Sequence, residues 1–150
     1  MAAGKPGLDR GDLPDLLGYN IRRAQISLWR DFLRSVDAGA GIRPGVFALL
    51  MLVARNPGAA QIELARELAI DKASIVAVIH RLERAKLVER RRSTVDRRRQ
   101  GLFITPDGTR KVAQMRARMR RHEQRFLGRM SATEGRTLIR LLKKLYTDPE

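Results

Sequence analysis

The stretch NPGAAQIELARELAIDKASIVAVIHRLERAKLVERRRSTVDRRRQGLFITPDG, residues Asn56 to Gly108, decides the fold. Ala60 to Leu68 has helical spacing, with Ile62, Leu64, Ala65 and Leu68 available to a core, and Ala69-Ile70 makes a tight turn. Asp71 then caps a second helix running to about Ala85, where its carboxylate meets free backbone N–H groups and the positive end of the helix dipole. Ile75, Leu82 and either Val78 or Ile79 give that helix its core face. The opposite side carries Lys72, Ala73, Ser74, Ala77 and Arg81. Two short helices, a tight connection and a small residue, Ala65, where they must approach closely make a helix-turn-helix. Lys86 to Arg92 reads as a strand, Ser93 to Arg99 as a polar turn and Gln100 to Thr105 as the returning strand. The fold class is mainly α with a small β-hairpin wing: a winged helix-turn-helix.

The wing concentrates charge, with six arginines against two acids between Glu89 and Arg99. Guanidinium groups crowded on one hairpin repel one another unless a polyanion relieves them, so the segment reads as a contact surface. Arginine at a hairpin tip suits the minor groove, whose narrow A·T-rich segments concentrate negative potential. The whole chain has the same sign, since 31 Lys and Arg against 16 Asp and Glu give +15 over 150 residues. Double-stranded DNA is the expected partner. A basic membrane-surface protein would need a long amphipathic segment with aromatics on its apolar face, and aromatics here are 5%, so no membrane partner is expected.

Outward from this unit, residues 1–12 mix Gly, Pro and charge without an apolar period and read as a loose arm. Leu13, Leu16, Leu17, Ile21, Ala24, Leu28, Phe32, Leu33 and Val36 recur at steps of three and four, which predicts one long amphipathic helix capped by Asp12 with Pro14 in its first turn. Asp37-Ala38-Gly39-Ala40-Gly41 breaks it. A second helix starts near Pro44, is apolar from Val46 to Val53 and so buried on most sides, and ends at the turn Asn56-Pro57-Gly58. Beyond the wing, Thr105 caps a long helix from Pro106 to about Arg129 with the stripe Val112, Met115, Met119, His122 and Phe126. Ser131 caps the last helix, with Glu134 in capping-box spacing, and Leu138, Leu141, Leu142 and Leu145 line one face. That stripe needs a partner, and the first helix has a matching one.

The exclusions are as informative. The sequence has no cysteine, which removes disulfides, thiolate metal sites and cysteine redox sensing. Its two histidines, His80 and His122, stand far apart without further ligands at metal spacing, so neither metal nor cofactor is expected. No nucleophile-base pair or phosphate-cradling glycine loop is present, which argues against an enzyme. The start lacks a signal-peptide run, and no stretch approaches the roughly twenty apolar residues that span a bilayer. A cytoplasmic protein is expected.

Pro57 to Ser74, followed by Arg81-Leu82-Glu83-Arg84-Ala85-Lys86-Leu87-Val88-Glu89-Arg90, resembles the helix-turn-helix of the MarR family of bacterial transcriptional regulators. Asp96-Arg97-Arg98 with Leu102, Ile104, Thr105 and Gly108 is similar to that family's wing, and the resemblance spans roughly Leu13 to Tyr146. It implies a homodimer with first and last helices intertwined, through Leu13, Leu17, Leu138, Leu141, Leu142 and Leu145. It also implies a recognition helix in the major groove and a wing arginine in the minor groove. On this chain Arg98 is the minor-groove residue, Asp96 its buttress, and Arg97 and Arg99 phosphate contacts or alternates. One departure stands out: where members often carry a polar run, this helix has Ala73-Ser74-Ile75-Val76-Ala77. Base reading then leans on Ser74, Lys72, Arg81 and methyl contacts from Ala73 or Ala77.

Regulators of this kind commonly release DNA when a small anionic, often aromatic, molecule binds between the dimerisation helices and the winged module. The resemblance therefore implies an effector, an aromatic acid or its acyl-CoA thioester, with Tyr19, Arg22, Arg23, Trp29, Arg43, Phe47 and His122 as candidate contacts. The division expected is an arm over 1–12, a helical dimerisation region over 13–38 and 106–147, and a DNA-binding domain over 42–105. A sequence-tolerant architectural DNA- or RNA-binding protein is the alternative.

Overall fold

The computed structural model describes residues 8–37, 44–92 and 100–147. A 3-10 turn, Leu13–Asp15, precedes α1 (Leu17–Phe32), which passes into a π-helical segment, Leu33–Asp37. Then follow α2 (Pro44–Arg55), α3 (Gln61–Glu67), α4 (Lys72–Arg84), β1 (Val88–Arg92), β2 (Gln100–Ile104), α5 (Pro106–Leu127) and α6 (Ala132–Lys143).

The core belongs to the winged module. Val46, Leu49, Leu50 and Val53 of α2 pack with Leu64 and Ala65 of α3, Ile75, Ile79 and Leu82 of α4, Val88 and Leu102 of the hairpin, and Val112 and Met115 of α5. Each large side chain buried there contributes about 1.5–3 kcal/mol. Of the pair left open by periodicity, Ile79 is the core residue and Val78 is half-buried. Ile62 departs from expectation: it lies on the far side of α3 from Leu64 and is 59% exposed.

The C-terminal ends of α3 and α4 use one device. Ile70 N–H donates to the Ala65 carbonyl at 3.1 Å and Leu87 N–H to the Leu82 carbonyl at 2.9 Å, the six-to-one closure that ends a helix through a left-handed residue. Ala69 (φ +49°) and Lys86 (φ +56°) take that conformation. Without glycine it costs about 1 kcal/mol each. Lys86 therefore terminates α4, and the strand expected from Lys86 begins two residues later.

The strands are antiparallel, with Val88 opposite Ile104 and Arg92 opposite Gln100. The turn after α2 joins them, because Gly58 N–H donates to the Leu102 carbonyl at 2.8 Å and Leu102 N–H to the Ala59 carbonyl at 3.0 Å. Gly101 permits this: a Cβ there would lie 2.5 Å from the Gly58 oxygen. Thr105 caps α5 by accepting from Gly108 N–H at 3.0 Å. At α6, Ser131 N–H donates to Glu134 at 2.8 Å and Glu134 N–H to the Ser131 hydroxyl at 3.2 Å, the expected capping box.

The first helix is not continuous from Leu13. Leu16 is extended (φ −80°, ψ 126°), and Asp12 makes no capping bond. The Asn20 amide donates to the carbonyls of Pro14 at 2.7 Å and Leu16 at 2.9 Å, and so holds the break. Of its apolar positions only Phe32 and Val36 are buried, while Leu13, Leu16, Leu17, Ile21 and Leu33 stay exposed, as do Leu138, Leu141 and Leu142 of α6 and Leu145 in the turn just beyond it. Among the described residues neither stripe has a covering surface.

Candidate nucleic-acid interface and effector crevice

The core face of α4 fixes what its other face presents. With Ile75, Ile79 and Leu82 buried, Ala73, Ser74, Ala77 and Arg81 are exposed on the opposite side, and Lys72 is exposed at the first position of the helix rather than on that face. Asp71 accepts from Ser74 N–H at 2.8 Å and from the Ser74 hydroxyl at 2.5 Å. The hydroxyl bond foremost, then the backbone bond, hold the Asp71 carboxyl below its usual range. The Ser74 proton is thereby committed to the cap, so its oxygen offers only lone pairs outward.

On the wing the arginines divide. Arg90 donates through Nε to Glu83 at 3.1 Å and through Nη2 to Gln61 at 3.3 Å, tying β1 to α4 and α3. Arg91 pairs with Glu89 and lies over the Phe103 ring at 5.1 Å. These two are engaged within the chain, which lowers the electrostatic cost expected of six clustered guanidinium groups. Asp96, Arg97, Arg98 and Arg99 lie outside the described residues.

A second site forms where α1 crosses α5. Asp31, the one acid in α1, sits 2.6 Å from His122 Nδ1 and accepts from Arg125 at 2.6 Å through Nη2 and 3.1 Å through Nε. His122 is 4% exposed and makes edge-on contacts with Phe32 and Phe126 at 5.9 and 5.3 Å. The Arg125 bonds first, then that of His122, lower the Asp31 pKa from 3.8 to about 2. A carboxyl whose folded pKa is depressed adds stability above its unfolded pKa and loses it as pH falls through the folded one. Asp31→Asn should therefore be less stable than the parent at pH 7, and the gap should close between about pH 4 and pH 2. Urea midpoints across that range measure it; a gap constant with pH would contradict it.

Beside this cluster lies a crevice of about 300 Å³ lined by Gln25, Leu28, Trp29 and Phe32 of α1, Pro44 of α2, and Met119, His122 and Glu123 of α5. Its walls are thus α1, α2 and α5. A neighbouring crevice of about 510 Å³ is bounded by Trp29 on one side and by Ser74, Ala77, Arg81 and Arg84 of α4 on the other. Trp29 is common to both. Of the seven residues expected to meet an effector, the fold brings Trp29 and His122 together. Arg23 lies 6.0 Å from the Tyr19 ring and lines a separate basic groove with Arg30 and Arg34. Arg22 is exposed, Phe47 packs half-buried against the core, and Arg43 lies outside the described residues. Periodicity gave no sign of the Asp31–Arg125 pairing; the isolation of one acid in an arginine-rich helix was the signal available.

A sequence model of the MarR family matches residues 40–99. A Thauera aromatica protein named as a transcriptional regulator for the hcr operon is 40% identical over 139 residues, covering 93% of this chain and 84% of its own. The repressor CouR bound to a 23-mer DNA duplex superposes with a TM-score of 0.88 at 33% identity, over 95% of this chain and all of that one. CouR bound to p-coumaroyl-CoA gives 0.86 at 32% identity, over 95% and 100%.

Proposed function

The chain belongs to the MarR family of winged helix-turn-helix transcriptional regulators, and from that membership we propose a repressor that binds a pseudo-palindromic operator as a homodimer and is released by an aromatic acid or its acyl-CoA thioester. One observation carries the coupling: Trp29 walls both the inner crevice and the crevice that opens on α4. A molecule entering the first displaces a side chain that abuts the helix reading DNA. The relative named for the hcr operon and the CouR complexes support the effector class.

In this reading Lys72, Ala73, Ser74, Ala77 and Arg81 enter the major groove. Ser74, with its proton committed to Asp71, accepts from a cytosine or adenine amino group, while Ala73 and Ala77 meet thymine methyls. Arg98, buttressed by Asp96, enters the minor groove, and Arg97 and Arg99 contact phosphates. Residues 13–38 and 106–147 form the dimerisation region. The protein acts in the cytoplasm and has no catalytic role; among the described residues no helix is long and apolar enough to cross a membrane.

Arg98→Ala should weaken operator binding by about 1–3 kcal/mol, with thermal melting and dimer mass unchanged. Fluorescence anisotropy on a selected palindromic duplex measures it, and undiminished affinity would remove Arg98 from the interface.

A further inference from the structure

The inner crevice holds one ring nitrogen whose role neither packing nor the Asp31 contact uses. His122 turns Nδ1 to Asp31 at 2.6 Å, and among the described residues its Nε2 has no hydrogen-bond partner while the residue lines the crevice. Asp31 is held ionised by Arg125 and His122 down to about pH 2, so it accepts only. The bond between them therefore requires the proton on Nδ1, and a neutral imidazole in that tautomer presents Nε2 as an acceptor. The same logic by which a buried carboxylate fixes a histidine tautomer beside a metal or a nucleophile applies here to a ligand.

The rest of the crevice sets the ligand's orientation. Leu28, Trp29, Phe32 and Met119 are apolar, and Glu123 adds a carboxylate at the wall. A ligand carboxylate beside Nε2 would face the lone pair of Nε2 and lie in the field of Glu123, whereas an O–H would find its acceptor. We propose that His122, set by Asp31, is a specificity-determining residue: its Nε2 accepts a hydrogen bond from a hydroxyl on the effector's aromatic ring, with the acid or thioester end directed outward. The inference rests on reading this crevice as the effector site. It names the ligand class as a hydroxylated arene and Asp31 as the positioning residue behind the histidine.

Trp29 is the sole tryptophan and lines the same crevice, so its fluorescence reports occupancy without DNA. The full-length protein is titrated at about pH 8 with 3- and 4-hydroxybenzoate, their fluoro counterparts, which match the ring but donate no hydrogen bond, and the CoA thioesters of all four. A hydroxylated member should bind about tenfold more tightly than its fluoro counterpart. His122→Phe should level the pair, His122→Gln should retain part of the preference through its amide oxygen, and Asp31→Asn, which frees the tautomer, should also level it. Binding without preference in the parent protein, or a preference surviving in a folded His122→Phe, would overturn the assignment while leaving the crevice as effector site. No binding by any of the probes, checked by calorimetry, would remove the effector reading itself and the inference with it. The parent protein's ratio decides even if a variant fails to fold.

Discussion

A protein carrying Leu141→Asp and Leu145→Asp together should sediment as a monomer and lose operator affinity by about a hundredfold or more. Leu141 on α6 and Leu145 in the turn just beyond it are 48% and 54% exposed, and Leu138 and Leu142 extend the same surface. Among the described residues nothing covers them, while Leu13 and Leu17 near the start of α1 are equally bare. Two such stripes on one chain fit a two-fold seam in which each meets the other's copy, the self-complementary arrangement of a cyclic dimer. Aspartate in that seam strands a charge in apolar surroundings, at a cost of several kcal/mol per site. Losing the dimer makes each half-site bind alone, and avidity of about 10²–10⁴ disappears with it. The core formed by α2, α3, α4, the hairpin and α5 contains neither residue, so the monomer should retain its helical signal. A dimer persisting in sedimentation would place the seam elsewhere.

Gly108→Ala should destabilise the fold by about 3 kcal/mol or more, near 10 °C in Tm. A Cβ at Gly108 would lie 2.0 Å from the Leu87 carbonyl oxygen and 2.7 Å from Ile104 Cγ1. Ile104 could rotate, but the Leu87 carbonyl cannot withdraw freely. It accepts from Thr105 N–H at 3.1 Å and from the Thr105 hydroxyl at 3.2 Å, and Thr105 is itself the cap of α5. One methyl group therefore pushes apart the end of α4, the root of β2 and the first turn of α5. Thermal melting measures the effect, and a shift under about 2 °C would mean that the backbone yields more readily than these bonds imply.

The winged module was legible because each of its signals is local. Helical spacing, the Asp71 cap, the Ala69-Ile70 turn and the hairpin each need only a few neighbouring residues, and all agree. Asp12 misled because a cap followed by proline suits a helix start, whereas Asn20, a turn downstream, stabilises a break at Leu16 instead. Lys86 misled because left-handed backbone at a lysine leaves no compositional mark. The α4 face could be read from its core face alone, by helical geometry. The crevice could not, because it depends on where α1 crosses α5, and the Asp31–His122 contact joins residues 91 positions apart. Tyr19 and Arg23 do not line the crevice that Trp29 and His122 share, although the family resemblance had grouped all four as candidate effector contacts.

The central claim is that the α4 face and wing read DNA under control of the crevice. Its most direct measurement is the anisotropy of a labelled, pool-selected palindromic duplex and of a scrambled duplex, titrated with the dimer at one fixed salt concentration. Each is measured with and without aromatic acids and their CoA thioesters. The predicted result is a preference of about 10³ or more for the selected site and release from it by at least one hydroxylated aromatic compound. Equal affinity for both duplexes, unmoved by every compound, would contradict the claim and favour an architectural protein that binds DNA by charge alone.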